Sequence, residues 1–207
     1  KYVSVYNETD WREEASLLKA EFSFTAKNKY ANYDIGLGYT QRATNTEKLY
    51  EVPAQKWADI TDENNEFGIS VLSDSRQGWD KPDESTLRLT LIHTPMSNYR
   101  WECSQHVMDM GINRYSYAIM GHNGKPSDIT AYADSFNQPM HTFISDKHTG
   151  TLGSEYSFVK LSDDNVRIIA IKKSQNSDDV IFRVAECSGT DKNDIKHEIE
   201  YESFEDA

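Results

Sequence analysis

The sequence predicts an all-β protein, an antiparallel β-sandwich carrying one short helix. Three observations lead there. Apolar side chains recur at every second position in most of the patterned runs, the period of a half-buried strand. Clusters rich in Asp, Asn, Ser and Gly, such as "TDENNE", "SDSRQG", "DKPDES" and "GHNGKPSD", separate those runs at short intervals and supply turn geometry. The chain also holds 12 Tyr, 8 Phe and 4 Trp, an aromatic load that favours strands. About ten short strands at this spacing, with few helical stretches, read as a sandwich.

Taken in order, the runs justify this element by element. Leu18, Ala20, Phe22 and Phe24 oppose Lys19, Glu21, Ser23 and Thr25. Tyr33, Ile35, Leu37 and Tyr39 oppose Asp34, Gly36, Gly38 and Thr40, which reads as one strand. "EVPAQKWADI", with Glu51, Trp57 and Asp59, reads as buried. Phe67, Ile69 and Val71 alternate, as do Leu87, Leu89 and Leu91 against Arg88 and Thr90, although Ile92 breaks that polar face. Tyr115, Tyr117 and Ile119 form the next apolar set. "NYRWECSQHVMDMG" has no period and reads as a long loop. Ser127 is the expected N-cap of a helix over Asp128 to Asn137, with Asp128 favoured by the helix dipole and Pro139 as the stop. "NVRIIAIKKS" and "DVIFRVAECS" are apolar on both faces and are expected as buried strands. Ile195, His197, Ile199 and Tyr201 make the last alternating run, and the acidic residues after it read as a frayed end. No repeat, low-complexity tract or linker stands out, so 1–207 is read as a single domain.

A chain of 207 residues can bury roughly 70% of its unfolded surface and needs no staples. Cys103 and Cys187 stand far apart, outside any CxxC, and are read as thiols rather than a disulfide framework. Acidic residues number 34 and basic ones 22, for a net charge of −12. Nucleic acid and anionic membrane surfaces are therefore excluded as partners, since both need clustered Lys and Arg. No apolar run approaches the roughly 18 residues of a membrane span. The chain begins at Lys1 with no visible signal peptide, and is expected to be a mature or excised piece of something longer. The cytoplasm is favoured, and export stays open because processing would erase its signal.

Motifs for self-contained chemistry are missing. The six histidines form neither HExxH nor a Cys–His cluster of zinc spacing, so no metal is expected in this chain. There is no GxSxG elbow and no phosphate-cradling glycine loop. The most suggestive cluster is "LSDSRQGWDKPD", with Asp74, Arg76, Trp79, Asp80 and Asp83. An Arg between acids beside a Trp suits a sugar or a neighbouring domain; the plainer reading is a solvated turn in which Asp74 caps backbone amides. Asp74 and Asp80 are also the candidate pair if the chain itself hydrolyses a glycoside. Trp57 is a candidate for sugar stacking or an interface, with core as the commoner role for such a ring; an independent carbohydrate-binding sandwich using Trp57, Trp79 and exposed Tyr is the alternative reading of the chain.

Six blocks in order resemble the C-terminal β-domain of glycoside hydrolase family 38 α-mannosidases, in the branch with the cytosolic and vacuolar enzymes. They are "DWREEASLLKAEF", "YDIGLGYTQRATN", "YEVPAQKWADI", "FGISVLSDSRQGWD", "LRLTLIHTP" and "RYSYAIMGHNG". The resemblance implies a supersandwich-like β-fold and a parent that is a retaining, zinc-dependent α-mannosidase. Its zinc, Asp nucleophile and acid belong to an N-terminal catalytic domain, and no position here matches them. The implied partners are that catalytic domain and α-mannoside glycans. In this family the turn "SDSRQGWD" usually carries a basic residue, which is Arg76 here. Asp74, Arg76, Trp79, Asp80 and His93 are accordingly expected at the active-site rim or domain interface. His93 stands where the family commonly has Arg, and Gly121 where it has Pro.

Overall fold

A computed structural model describes residues 1–95, 108–124, 126–150, 155–163, 165–187 and 197–199. The chain divides into two compact units, Lys1–Pro139 and Met140–Ala207. The loop around Cys103, most of the last alternating run and the acidic end lie outside the described residues.

The first unit contains β1 (Val3–Trp11), β2 (Ser16–Ser23), β3 (Tyr30–Asp34), β4 (Tyr39–Ala43), β5 (Val52–Pro53), β6 (Trp57–Thr61) and β7 (Gly68–Ser73). It continues with β8 (Gly78–Asp80), β9 (Thr86–Thr94), β10 (Gly111–His122) and α1 (Ser127–Asn137). A six-stranded sheet has the order β1-β10-β7-β6-β3-β4, and a four-stranded sheet the order β2-β9-β8-β5. Every pairing is antiparallel. The apolar sets of the alternating runs meet between the sheets. Phe22, Trp79, Leu87 and Leu89 from the smaller sheet pack with Tyr33, Ala58, Ile60 and Val71 from the larger one. Each large side chain buried in this way contributes about 1.5–3 kcal/mol. Among the described residues, the predicted antiparallel β-sandwich with one short helix is therefore what the first unit forms.

A third layer explains why β6 and β7 are buried on both faces. Trp57, Leu72, Ala118 and Met120 face away from the sandwich interior and are covered by Ile129, Ala133 and Phe136 of α1. The helix spans Ser127–Asn137, so Ser127 is its first residue rather than its cap. Pro126 precedes it at φ −63°, already helical, and no side-chain bond caps the start. At the other end Gln138 N donates to Asp134 O (2.8 Å), and Pro139 follows. Asn137 Nδ2 donates to Ser73 O (3.1 Å) and Lys56 Nζ meets Asp134 Oδ1 (2.5 Å), which ties the helix to the large sheet.

One alternating run is not the single strand expected. "NYDIGLGYTQ" folds back into β3, a turn and β4, leaving Ile35 and Leu37 exposed at the tip. Gly36 and Gly38 adopt φ +88° and +90°, where a side chain is strained. Asp34 Oδ1 accepts from Gly36 N (2.8 Å), and Ile35 N donates to Gly38 O (3.1 Å). Local turn chemistry overrides the periodicity.

In the second unit β11 (Val159–Leu161) pairs with β14 (His197–Ile199), and β12 (Val166–Lys173) pairs with β13 (Val180–Glu186). The β12–β13 strands are not buried as the sequence led us to expect. Ile169, Ile171, Val180, Ile181 and Val184 are 40–52% exposed. Each sheet described in this unit has two strands, and apolar residues on both faces of β12 and β13 leave much of their surface exposed.

Candidate functional site

The sequence-predicted residues fall around the short strand β8 and the turn before it. β7 ends at Ser73, whose Oγ accepts from Arg76 N (3.0 Å). Asp74 N donates to Ser116 O (3.2 Å) and Ser75 Oγ donates to Asp74 Oδ1 (2.7 Å). It is thus Ser73, not Asp74, whose side chain caps a backbone amide here. Asp74 is exposed, and Arg76 is partly buried. The Arg76 guanidinium lies 5.1 Å from the ring centroid of Tyr115, and Tyr115 is itself held by its hydroxyl to Thr9 Oγ1 (3.0 Å). Arg76 Nε is buried without a hydrogen-bond partner. Arg76 therefore rests on an aromatic face with no carboxylate beside it among the described residues.

Strand alternation sends Trp79 and Asp80 to opposite faces of the smaller sheet. Trp79 is fully buried in the sandwich core. Asp80 is also fully buried, on the outer face, beneath a charged cluster. Its Oδ1 accepts from Arg88 Nε (2.6 Å) and lies 2.6 Å from Arg88 Nη2; Lys19 Nζ stands 2.6 Å from Oδ2. The Lys19 contact is an ion pair, not an aligned hydrogen bond. Lys19 also donates to Thr90 Oγ1 (2.7 Å) and Glu51 Oε2 (3.2 Å), and Arg88 Nη2 donates to Tyr50 Oη (3.2 Å). Gly78 makes room for Glu51, since a Cβ there would come within 2.0 Å of Glu51 Oε1. Burial pulls the Arg88 guanidinium down, but the hydrogen bond and charge of Asp80 outweigh it and hold it above its ordinary value. Asp80 is thus enclosed by two cations, while Asp74 is exposed on the turn, so the two carboxylates stand in different surroundings.

The remaining predicted residues separate. Trp57 has no exposed surface; it packs under α1 with its ring 5.8 Å from that of Tyr39, and offers no face for sugar stacking. His93 is exposed on β9, opposite Leu17 of β2.

Sequence reasoning placed a second carboxylate, Asp59, in a buried run but gave it no role. Asp59, fully buried on β6, accepts from Asn32 Nδ2 (2.9 Å), Thr61 Oγ1 (2.7 Å) and Ser70 Oγ (2.9 Å). His122 Nε2 lies 2.8 Å from its Oδ1. His122 Nδ1 is buried without a partner. This network joins β3, β6, β7 and the end of β10 beside the helix-covered patch. Its signal lay in the blocks "KWADI" and "MGHNG", which hold its carboxylate and its imidazole. Lys19 and Arg88 had a signal too, as cations on the polar faces of strands whose register pairs Lys19 with Thr90 and Arg88 with Glu21.

Among the described residues no three His, Cys, Asp or Glu side chains converge where a metal ion would be held. The described residues do not fit a zinc site.

Residues 1–99 match the family described as "Glycosyl hydrolases family 38 C-terminal domain". The chain is 25% identical over 188 residues to Alpha-mannosidase G of Dictyostelium discoideum, covering 87% of this chain and 16% of that one. It is 31% identical over 146 residues to human Alpha-mannosidase 2C1, covering 67% of this chain and 13% of that one. Among solved structures, a protein in glycosyl hydrolase family 38 from Enterococcus faecalis superposes with a TM-score of 0.78 at 15% identity. That alignment covers 95% of this chain and 24% of the other. The chain thus spans about a sixth or less of the curated relatives it matches. Its fold is that of the family 38 structure, its sequence relatives are α-mannosidases, and its residues 1–99 match the C-terminal domain of glycosyl hydrolase family 38.

Proposed function

We propose that the chain is the non-catalytic C-terminal β-portion of a retaining, zinc-dependent α-mannosidase, supporting the catalytic domain and completing its active-site rim. The observation that carries this is the match to a C-terminal domain family, together with relatives named α-mannosidases of which the matched part is 16% or less. The parent's zinc would serve in the catalytic domain, where it binds the mannose. No step is assigned to residues of this chain through it.

What these residues contribute is placement. Arg76 sits on a turn with its guanidinium laid on Tyr115 and without an acid partner among the described residues. A guanidinium held in this way suits a carboxylate of the catalytic domain or a sugar hydroxyl, because its planar donors match both. Asp74 and the exposed His93 would lie on the same rim or interface. Trp79 and Asp80 act beneath it: Trp79 packs β8 against the core, and Asp80 holds that strand to β9 and β2 through Arg88 and Lys19. The test is hydrolysis of an aryl α-mannoside by the 207-residue chain and by the full-length protein, each with and without added zinc. The expected result is turnover by the full-length protein only. Zinc-dependent turnover by the short chain, abolished by Asp74→Ala or Asp80→Asn, would refute the non-catalytic role.

A further inference from the structure

Near the Arg76 turn, a cleft of about 280 Å³ opens between the β3–β4 turn, β5 and the β7–β8 turn. Its polar walls are Asp34, Arg42, Gln55 and Gln77, and Ile35 and Pro53 supply apolar ones. Three of the polar groups are fixed in place. Arg42 Nη1 donates to Pro53 O (2.8 Å) and its guanidinium lies 5.1 Å from the Tyr33 ring centroid. Arg42 has no ion pair among the described residues. Asp34, 3% exposed, accepts from Gly36 N (2.8 Å) on Oδ1 and Lys56 N (2.9 Å) on Oδ2, leaving each oxygen further acceptor capacity. The Gln55 amide lies over Gly36, where a Cβ would be 2.7 Å from its Oε1. Gln77 is exposed, and its side chain makes no hydrogen bond among the described residues.

The mixture of groups indicates the ligand. An anion calls for donors alone, and the Asp34 carboxylate would repel it; a cation calls for acceptors alone, and Arg42 would repel it. A hydroxyl both donates and accepts, so amides, a guanidinium and a carboxylate in one cleft match vicinal hydroxyls. The volume is at the low end of ligand sites, enough for a single ring. Groups fixed before binding lose little freedom on binding. We infer that this cleft binds one uncharged polyhydroxyl ring, a pyranose, through Arg42, Gln55, Gln77 and Asp34. This gives the β-unit a binding function of its own and does not rest on the supporting role proposed above.

The experiment is titration of methyl α-mannoside into the isotope-labelled 207-residue chain, followed by NMR through the side-chain amides of Gln55 and Gln77. Saturable shifts at both are expected. Gln77→Ala should weaken the affinity about threefold to tenfold, the loss of one neutral hydrogen bond, with an unchanged melting temperature because Gln77 is exposed. Arg42→Gln should weaken it further. Sodium acetate and glycerol are the comparison ligands, and neither should saturate these resonances in the same range. Acetate binding in place of the sugar would overturn the inference, as would non-saturating shifts or an affinity untouched by Gln77→Ala. Any of these leaves the supporting role standing.

Discussion

The interior of the first unit and its turn-bearing end use aromatic rings in opposite ways. In the interior, Trp57 and Trp79 are enclosed completely, one under α1 and one between the sheets. At the turn-bearing end, the rings of Tyr33 and Tyr115 back the sandwich core while each carries a guanidinium at 5.1 Å, Arg42 and Arg76. The first pair stabilises the fold; the second holds charge where another molecule can meet it. The difference teaches that Trp57 and Trp79 mark core, whereas Tyr33 and Tyr115 hold guanidiniums that the core does not enclose.

The largest expected effect breaks the interior half of that comparison. Trp57→Ala and Trp79→Ala should each cost about 3–5 kcal/mol of unfolding free energy, read from denaturant midpoints. A loss under about 1 kcal/mol would mean that the ring is not packed as described. Asp80→Asn comes next. It leaves Lys19 and Arg88 without their buried counter-charge, and breaking a fully buried pair costs about 3–5 kcal/mol. Because the side chains of Lys19 and Arg88 remain 12% and 22% exposed, water offsets part of that, and about 2 kcal/mol is expected.

A smaller effect sharpens the account of the turns. Asp62 accepts from Glu66 N (2.8 Å) and Phe67 N (2.9 Å) across the β6–β7 turn. The backbone bond from Phe67 leads the causes that hold its carboxyl below the usual carboxylate range. A depressed carboxyl stabilises the fold above its unfolded value, near 3.9, and loses that contribution as pH falls through the folded value. The melting temperature of Asp62→Asn should therefore lie below that of the wild type at neutral pH, and the gap should close on acidification below about pH 4. A gap that widens in acid would reverse the assignment.

The sandwich was legible because the period of two survives in the packed strands: Phe22, Leu87, Leu89 and Tyr33 all point inward as their alternation requires. Ile35 and Leu37 misled, because positive-φ glycines and the Asp34 side chain make a turn where the alternation continues. Burial was read correctly in "KWADI", where α1 adds a layer, and not in β12 and β13, which form a two-stranded ribbon. The site was legible only in part. Arg76 could be chosen from its turn, but the enclosure of Asp80 depends on Lys19 and Arg88, which register brings together from β2 and β9. Arg42 and Gln55 were invisible as a pair, because the cleft is made by two turns and the strand β5, which no local pattern connects.

The most direct measurement of the central claim is Arg76→Ala in the full-length protein, with kcat/KM and melting temperature determined together. Arg76 lies on a turn, so its removal should cost less than about 0.5 kcal/mol of stability. If its guanidinium completes the rim by pairing with a carboxylate of the catalytic domain, the loss of transition-state stabilisation should reach about 2 kcal/mol or more, roughly thirtyfold in kcat/KM. Activity within about twofold of wild type, at an unchanged melting temperature, would correspond to less than about 0.5 kcal/mol and would show that Arg76 is ordinary surface.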